Sequence, residues 1–132
     1  MYTIYYMYVI IFAVYNMYLE ILEYLKNNDG EFNKTLEGML SGDEISYDVD
    51  DYSMHIDTIK HIMIRESDTY KYIFDFDNKV LKCILKDQSI DLDIDIEVVD
   101  MEMSKETIYI KYFLKPSNED LIEYKLTCKI KN

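Results

Sequence analysis

The sequence predicts a single all-β domain built mainly from antiparallel strands. Short runs of β-branched and aromatic residues recur along the chain with polar breaks between them, and one run alternates strictly between aliphatic and acidic side chains. The chain has 132 residues, a common size for one domain with one core. Hydrophobic residues make up 49% and charged residues 30%, a balance that argues against disorder. We therefore expect an antiparallel barrel or sandwich around one core.

The N-terminal stretch Met1–Leu19 carries no charged side chain. Its length could just span a bilayer, yet it holds six tyrosines and no Lys or Arg flanks it before Lys26. It also lacks the basic start and the small-residue cleavage site of a signal peptide. We therefore separate an N-terminal apolar extension, residues 1–16, from a domain at residues 17–132. The extension is expected to add a helix or strand to the domain or to precede a natural start at Met17, and a membrane anchor is the less favoured alternative.

The strands are predicted from β-prone runs and the turn signals between them. Residues Met17–Lys26 fit either a strand or a helix, because their leucines also match a helix face. The run ends at Asn27-Asn28-Asp29-Gly30, a strong turn signal. Pro116 lies between the last two runs, where a hairpin loop accepts proline better than a central strand does. The predicted strands are Glu31–Glu37, Glu44–Asp48, Met54–Arg65, Tyr70–Asp75, Lys79–Lys86, Ile90–Asp100, Thr107–Lys115 and Leu121–Lys131.

The clearest strand lies within Ser89–Val99, where the side chains alternate with a period of two. This pattern predicts one buried face and one solvated face. The apolar face comprises Ile90, Leu92, Ile94, Ile96 and Val98, and the acidic face comprises Asp91, Asp93, Asp95 and Glu97. The first three acidic residues, with Glu102, also match the ligand spacing of a calcium-binding loop, but Ile96 occupies the position where that loop requires glycine. We therefore interpret them as a solvated strand face.

Several of these segments carry a resemblance to a known family. Glu37-Gly38 precedes Ile45-Ser46-Tyr47, Ile64-Arg65 precedes Phe74, and the last three strands follow at Ile90–Val99, Ile108–Tyr112 and Tyr124–Ile130. In this order and spacing the chain resembles the YwiB-like family of small bacterial proteins of unknown function. The chain departs from that pattern at Glu66-Ser67, where the family has glycine. The resemblance implies that residues 17–132 form a single lipocalin-like, calycin-type β-barrel of about eight strands, and it implies no activity.

Charge and cysteine content limit the classes of partner. Acidic residues outnumber basic ones by 26 to 14, which gives a formal net charge of -12. A field of this sign repels nucleic-acid phosphates and anionic membrane surfaces, so we expect no direct nucleic-acid binding and no membrane binding. Cys83 and Cys128 are too few for a disulfide framework and are typical of buried thiols in a cytoplasmic protein.

No group of residues in the sequence supports a catalytic or metal site. His55 and His61 are too far apart for one strand to chelate a metal, although on an unbroken strand they would face the same way. The two cysteines have no nearby histidine along the chain, and the three glycines do not form a phosphate-binding loop. We therefore expect no enzymatic activity, no cofactor and no metal.

Two binding functions stay open. The first is a non-catalytic barrel that accepts a small apolar ligand in its mouth, although the same aromatic side chains could simply fill the core. The residues assigned to this ligand pocket are Tyr47, Arg65, Phe74, Tyr109 and Tyr112. The second is an acidic interaction module, a candidate nucleic-acid mimic, that docks on a basic protein. Its assigned residues are those of the acidic face, Asp91, Asp93, Asp95 and Glu97.

Overall fold

The computed structural model describes residues 16–104, 107–117 and 120–131. In these ranges all regular structure is β-strand. The strands are β1 (Asn16–Asn27), β2 (Gly30–Ser41), β3 (Glu44–Val49), β4 (Tyr52–Asp57), β5 (Ile62–Glu66), β6 (Tyr70–Asp75), β7 (Val80–Leu85), β8 (Ile90–Met103), β9 (Ile108–Leu114) and β10 (Ile122–Ile130). The prediction of an all-β antiparallel domain is confirmed. The prediction for the N-terminal extension concerns residues that, apart from Asn16, lie outside the described ranges.

The described strands form a closed barrel. Each strand pairs in antiparallel fashion with the next strand along the chain, and β1 also pairs with β10. That closing pair runs from Leu19 opposite Ile130 to Lys26 opposite Glu123. Closure gives every strand two neighbours, so the unpaired edge that an open sheet exposes is avoided. The barrel contains ten strands in the described ranges, not about eight.

Two strands are additional to the eight predicted. One is β1, whose segment Met17–Lys26 fitted either a strand or a helix, and the other comes from Met54–Arg65, which was predicted as one run and is divided between β4 and β5. The chain reverses between Asp57 and Ile62. The Asp57 carboxylate accepts hydrogen bonds from the backbone N–H groups of Ile59 and Lys60, at 3.0 and 2.9 Å. Both hydrogen bonds lower the pKa of the Asp57 carboxyl group, and the bond from Lys60 has the larger effect. An aspartate that caps its own turn replaces the glycine or proline that usually marks one, which is why the sequence pattern concealed this reversal.

The core fills the inside of the barrel because side chains alternate along each strand. The pattern is clearest in β9, where Ile108, Ile110, Tyr112 and Leu114 are buried and the residues between them are only partly buried. The buried side chains are apolar, aromatic or thiol groups, and no charged side chain in the described ranges is fully buried. Cys83 and Cys128 are buried and not joined in a disulfide.

Strand β8 departs from the predicted two-faced pattern. Of its apolar face only Ile96 is fully buried, whereas Ile90 and Leu92 are 40% and 55% exposed. These two residues pair with Leu85 and Cys83 at the start of the strand, where β7 and β8 run toward one end of the barrel. The period identifies the face of a strand but not how far the strand extends beyond the core. A β-bulge between Val98 and Asp100 then shifts the alternation.

The antiparallel order gives the barrel two ends. The connections after β1, β3, β5, β7 and β9 lie together at one end, which we call the mouth. The β1–β2 hairpin at the mouth turns at Asn28-Asp29 and places Gly30 at φ 134°, in the region that favours glycine.

Gly38 lies at a closely packed point of the interior. It is on β2 and its partner on β1 is Leu19. A Cβ atom at this position would lie 3.1 Å from the carbonyl oxygen of Ser46 and 3.2 Å from the Cβ of Tyr47, and would collide with Cδ1 of Ile21. The backbone of β2 therefore approaches β3 closely only because this residue has no side chain.

We predict that Gly38→Ala lowers the free energy of unfolding by about 1–3 kcal/mol, since the added methyl group must displace Ile21 and press on the backbone of β3. Urea denaturation measures the change. The control is Thr35→Val at an exposed position of the same strand, which should stay within about 0.5 kcal/mol of wild type. Equal stability of the two variants would contradict the tight packing at Gly38.

Candidate functional site

An open cavity of about 390 Å³ lies at the mouth of the barrel. Its walls come from the four neighbouring strands β9, β10, β1 and β2 and from the neighbouring pair β4 and β5, and β3 lies between β2 and β4. The apolar part of the wall includes Leu25, Met54, Met63 and Leu126. Small-molecule sites are concave, mostly apolar and roughly 300–1,000 Å³ in volume, with a few polar groups that orient the ligand. The cavity has the size and lining of such a site.

Aromatic rings form the floor of the cavity. Tyr112 and Tyr124 line it and stack on each other, with ring centroids 5.1 Å apart and planes 10° apart. Phe74 and Phe76 pack against Tyr112 from the core, at centroid distances of 5.7 and 5.3 Å. These contacts fill the middle of the barrel with side chains and confine the open space to the mouth.

Arg65 places a positive charge in the cavity wall. It lies on β5 between Met54 of β4 and Tyr72 of β6, and its guanidinium carbon is 4.8 Å from the centre of the Tyr52 ring. The ion pairs formed among the described residues do not include Arg65. Its Nε atom is buried and has no hydrogen-bond partner in the described part of the chain. An arginine in this state keeps hydrogen-bonding capacity that the protein itself does not use.

The surroundings of Arg65 keep it charged. Burial lowers the pKa of Arg65, but the nearby Tyr112, Tyr52 and Tyr124 and the carboxylate of Glu23 raise it, and the net shift is upward. A guanidinium does not lose its proton in proteins even without such help. The cavity therefore contains a permanent cation.

Glu23 is the carboxylate of the cavity, and Tyr47 already occupies part of it. The Tyr47 hydroxyl donates a hydrogen bond to Oε2 of Glu23 at 2.9 Å. Burial, followed by the charge of Glu23, raises the pKa of Tyr47 well above its usual value. The phenol therefore stays protonated and acts as a donor to the carboxylate.

The other tyrosines of the cavity are also neutral donors at ordinary pH. Burial is the first cause that raises the pKa of Tyr52, to about 12, and of Tyr112 and Tyr124. Burial also raises the pKa of the Cys83 thiol and raises that of Cys128 to about 12. Both thiols are held in the neutral form, which is a weak nucleophile.

The pocket residues assigned from the sequence fall into three groups. Arg65 and Tyr112 line the cavity, whereas Tyr47 and Phe74 are buried in the barrel next to residues that line it. Tyr109 does not face the pocket, and this assignment is corrected. Strand β9 directs Ile110 and Tyr112 inward. Side chains alternate along a strand, so Tyr109 faces outward, where it lies opposite Thr127 of β10.

The sequence reasoning missed Glu23, Tyr52 and Tyr124. Glu23 interrupts the apolar face that Leu19, Ile21 and Leu25 form on β1. A carboxylate on an otherwise apolar strand face could have indicated a polar group inside the barrel. Because residues 17–26 also fitted a helix, the face of Glu23 was not assigned. Tyr124 has the parity of Leu126 and Cys128 on β10, so alternation alone could have placed it inside.

The acidic face of β8 lies on the outside of the barrel. Asp91, Asp93, Asp95 and Glu97 are all exposed, and they take no part in the ion pairs of the described residues. They lie on an extended strand and not in a loop. No cluster of three or more His, Cys, Asp or Glu residues suited to a metal ion occurs in the described ranges.

The two histidines lie apart and each contacts a carboxylate. His55 Nδ1 is 3.0 Å from Oε1 of Glu44, and His61 Nδ1 is 2.9 Å from Oδ1 of Asp77. His61 lies in the turn between β4 and β5 with φ 55°. The expectation that both lie on one unbroken strand is therefore wrong.

Comparison of the chain with protein-family models, with curated proteins and with solved structures finds no match. The resemblance to the YwiB-like family therefore stays a prediction. In residues 16–104, 107–117 and 120–131 there is no helix of the length and apolarity needed to cross a membrane.

We predict that the free energy of unfolding falls steeply as the pH rises above 10, the usual pKa of tyrosine. The fall continues at least to the pKa of Tyr52 in the folded protein, which is about 12. The folded protein holds these phenol protons more tightly than the unfolded chain, so the stabilisation is complete below pH 10 and is lost as the pH rises. Urea denaturation at a series of alkaline pH values measures this slope.

Tyr47→Phe should show a shallower alkaline slope, because it removes a phenol whose pKa is raised. The control is Tyr18→Phe, at a side chain that is 70% exposed, which should follow wild type. Identical slopes for wild type and Tyr47→Phe would show that Tyr47 does not contribute to alkaline unfolding.

Proposed function

We propose that the protein is a non-catalytic binding module whose barrel takes up a small apolar or amphipathic molecule through its mouth. The open, mainly apolar cavity of about 390 Å³ is the observation that carries this proposal. The rest of the interior is filled by buried side chains, so the open space is localised and not a general looseness of packing. We also propose that the barrel is of the lipocalin-like, calycin type, as the resemblance implies. The two free thiols support a reducing, cytoplasmic location.

The rim of the cavity supports passage of an apolar molecule. Leu25 and Phe32 face each other across the β1–β2 hairpin at the mouth, and both line the cavity. Phe32 is 51% exposed, which is a large apolar surface in contact with water. A ligand that covers this surface gains free energy from its removal from water.

Magnitudes indicate what kind of ligand fits. Burial of roughly 200 Å² of apolar surface contributes roughly 5 kcal/mol. That energy alone corresponds to dissociation constants on the order of 0.1–1 mM, before the entropy of association is subtracted. Tighter binding therefore requires the polar groups of the cavity as well as its apolar wall.

We predict that Leu25→Trp weakens the binding of the uncharged apolar dye Nile red about tenfold or more, because the indole ring occupies the cavity. The matched control is Leu22→Trp, which places the same ring on the outer face of the same strand, opposite Thr35. Equilibrium dialysis gives both affinities without depending on dye fluorescence near tryptophan. Failure of the wild-type protein to bind Nile red, or equal weakening by the two variants, would sink the proposed site.

The acidic face of β8 supports a second candidate function, docking on a basic protein. All four carboxylates are exposed and outside the ion pairs of the described residues, and the chain carries a net charge of -12. Their charge is therefore available to a partner. Such binding weakens with salt, since exposed charges are screened within about 10 Å at 0.1 M ionic strength.

We predict that neutralising the acidic face by Asp91→Asn, Asp93→Asn, Asp95→Asn and Glu97→Gln weakens binding to the basic probe protein cytochrome c about tenfold at low salt. The control removes the same charge from exposed positions elsewhere, through Asp48→Asn, Asp50→Asn, Asp51→Asn and Asp87→Asn. A smaller loss in the control would place the docking surface on β8. Equal losses would show that only net charge matters.

A further inference from the structure

The charged groups of the cavity differ in whether the protein itself pairs them. Four charged side chains line it, namely Glu23, Lys34, Arg65 and Lys125. Glu23 accepts the hydrogen bond from Tyr47, whereas the three cations take no part in the ion pairs among the described residues. In a chain with a net charge of -12 the cavity therefore holds three cations and one carboxylate that is already hydrogen-bonded. Its local charge is opposite in sign to that of the whole protein.

Arg65 is the cation that lies within the wall. Lys34 is exposed at the mouth, but the Nε atom of Arg65 is buried and lacks a hydrogen-bond partner in the described residues. A buried donor without a partner is unfavourable, and more so when the group is charged. The unpaired Nε therefore marks a guanidinium that the described residues do not satisfy, and a ligand in the cavity can accept hydrogen bonds from the part of Arg65 that lines it.

The contact of the guanidinium with Tyr52 favours an oxyanion as its ligand. The guanidinium carbon lies over the Tyr52 ring, 4.8 Å from the ring centre. The hydrogen bonds of a guanidinium are donated in its plane, where paired N–H groups match the two oxygens of a carboxylate. A neighbouring aromatic ring therefore limits the movement of Arg65 without consuming its donors.

The phenols of the cavity add neutral donors. Tyr52, Tyr112 and Tyr124 line the cavity, and burial raises the pKa of each. Protonated phenols can donate to an anion and do not repel it. Glu23 has the opposite effect, because a second negative charge close to it is disfavoured. The combination suits a group with a single negative charge better than a dianion such as a phosphate monoester.

We infer that the cavity binds small amphipathic carboxylic acids, with the carboxylate on Arg65 and the apolar part of the molecule against Met54, Met63 and Leu126. This inference rests on the proposed binding function and names its ligand class. Lys34 at the mouth attracts the anion toward the cavity against the negative field of the whole protein. Arg65 then holds it in the wall.

The test compares octanoate, octanol and octylammonium, which share one apolar chain and differ in the head group. Isothermal titration calorimetry on the full chain should give octanoate an affinity about tenfold or more above that of octanol, as a charge-assisted hydrogen bond provides. Arg65→Met should weaken octanoate about tenfold or more and change octanol by less than about threefold. Lys129→Met removes the same charge from an exposed position of β10 outside the cavity and should leave the preference for octanoate over octanol intact. Lys34→Met should weaken octanoate less than Arg65→Met does, because Lys34 attracts the anion from the mouth and does not hold it in the wall.

Each other outcome has a separate meaning. Equal affinities for octanoate and octanol would overturn the carboxylate inference and leave the binding function standing. Tighter binding of octylammonium would overturn it and assign head-group recognition to Glu23. Loss of the preference in Lys34→Met but not in Arg65→Met would also overturn it.

Failure of octanoate, octanol and Nile red alike to bind would overturn both proposals.

Arg65→Lys keeps the test decisive if Arg65→Met does not fold. It retains the charge but loses the planar pair of donors, so octanoate should bind with intermediate affinity. Octanoate affinity equal to wild type in Arg65→Lys would contradict the paired hydrogen bond.

Discussion

The pairing of β1 with β10 is the contact on which the rest of the structure depends. It joins the two ends of the described chain, Leu19 to Ile130, and turns a simple meander into a closed barrel. Its formation closes the longest loop among the strand pairings of the described barrel and therefore has the largest loop-closure entropy cost. Without it both strands would expose unpaired edges. The cavity would also open, since Glu23 lies on one side of this seam and Leu126 on the other.

Closure leaves an interior that the chain fills unevenly. Around Tyr112 the aromatic rings and aliphatic side chains pack as a conventional core. At the mouth, Glu23 and Arg65 enter the interior, although apolar residues at these positions would stabilise the barrel at least as well. Tyr47 compensates Glu23, but no described residue compensates the Nε atom of Arg65. Stability accounts for the first arrangement and not for the second, and the proposed binding of a ligand gives the second a physical reason.

The sequence was informative wherever a local pattern determines structure. Alternation and turn residues located most strands, because both depend on neighbours along the chain. Asp57 supplies a turn without glycine or proline, so two strands were predicted as one. The exposure of Ile90 depends on where β8 leaves the core, and the cavity around Arg65 is formed by strands far along the chain. The period of a single strand predicts neither of these features. Tyr109 is a different case. Tyr109 and Tyr112 are an odd number of residues apart on one strand, so they face opposite sides of the sheet, and this alone excluded one of them from the pocket.

The protein as a whole is acidic, whereas its cavity is lined by cations, and this contrast in charge limits the class of the proposed ligand further. The net charge of -12 repels anions in solution, so a highly charged metabolite approaches the mouth poorly. An apolar molecule without charge is not repelled, but it leaves the guanidinium of Arg65 without an anionic partner. A molecule that is mostly apolar with one carboxylate meets both conditions, because its long-range repulsion is small and its short-range hydrogen bond is strong. Added salt should then change its affinity little, because the ion pair that holds it is formed inside the barrel, where screening is weak.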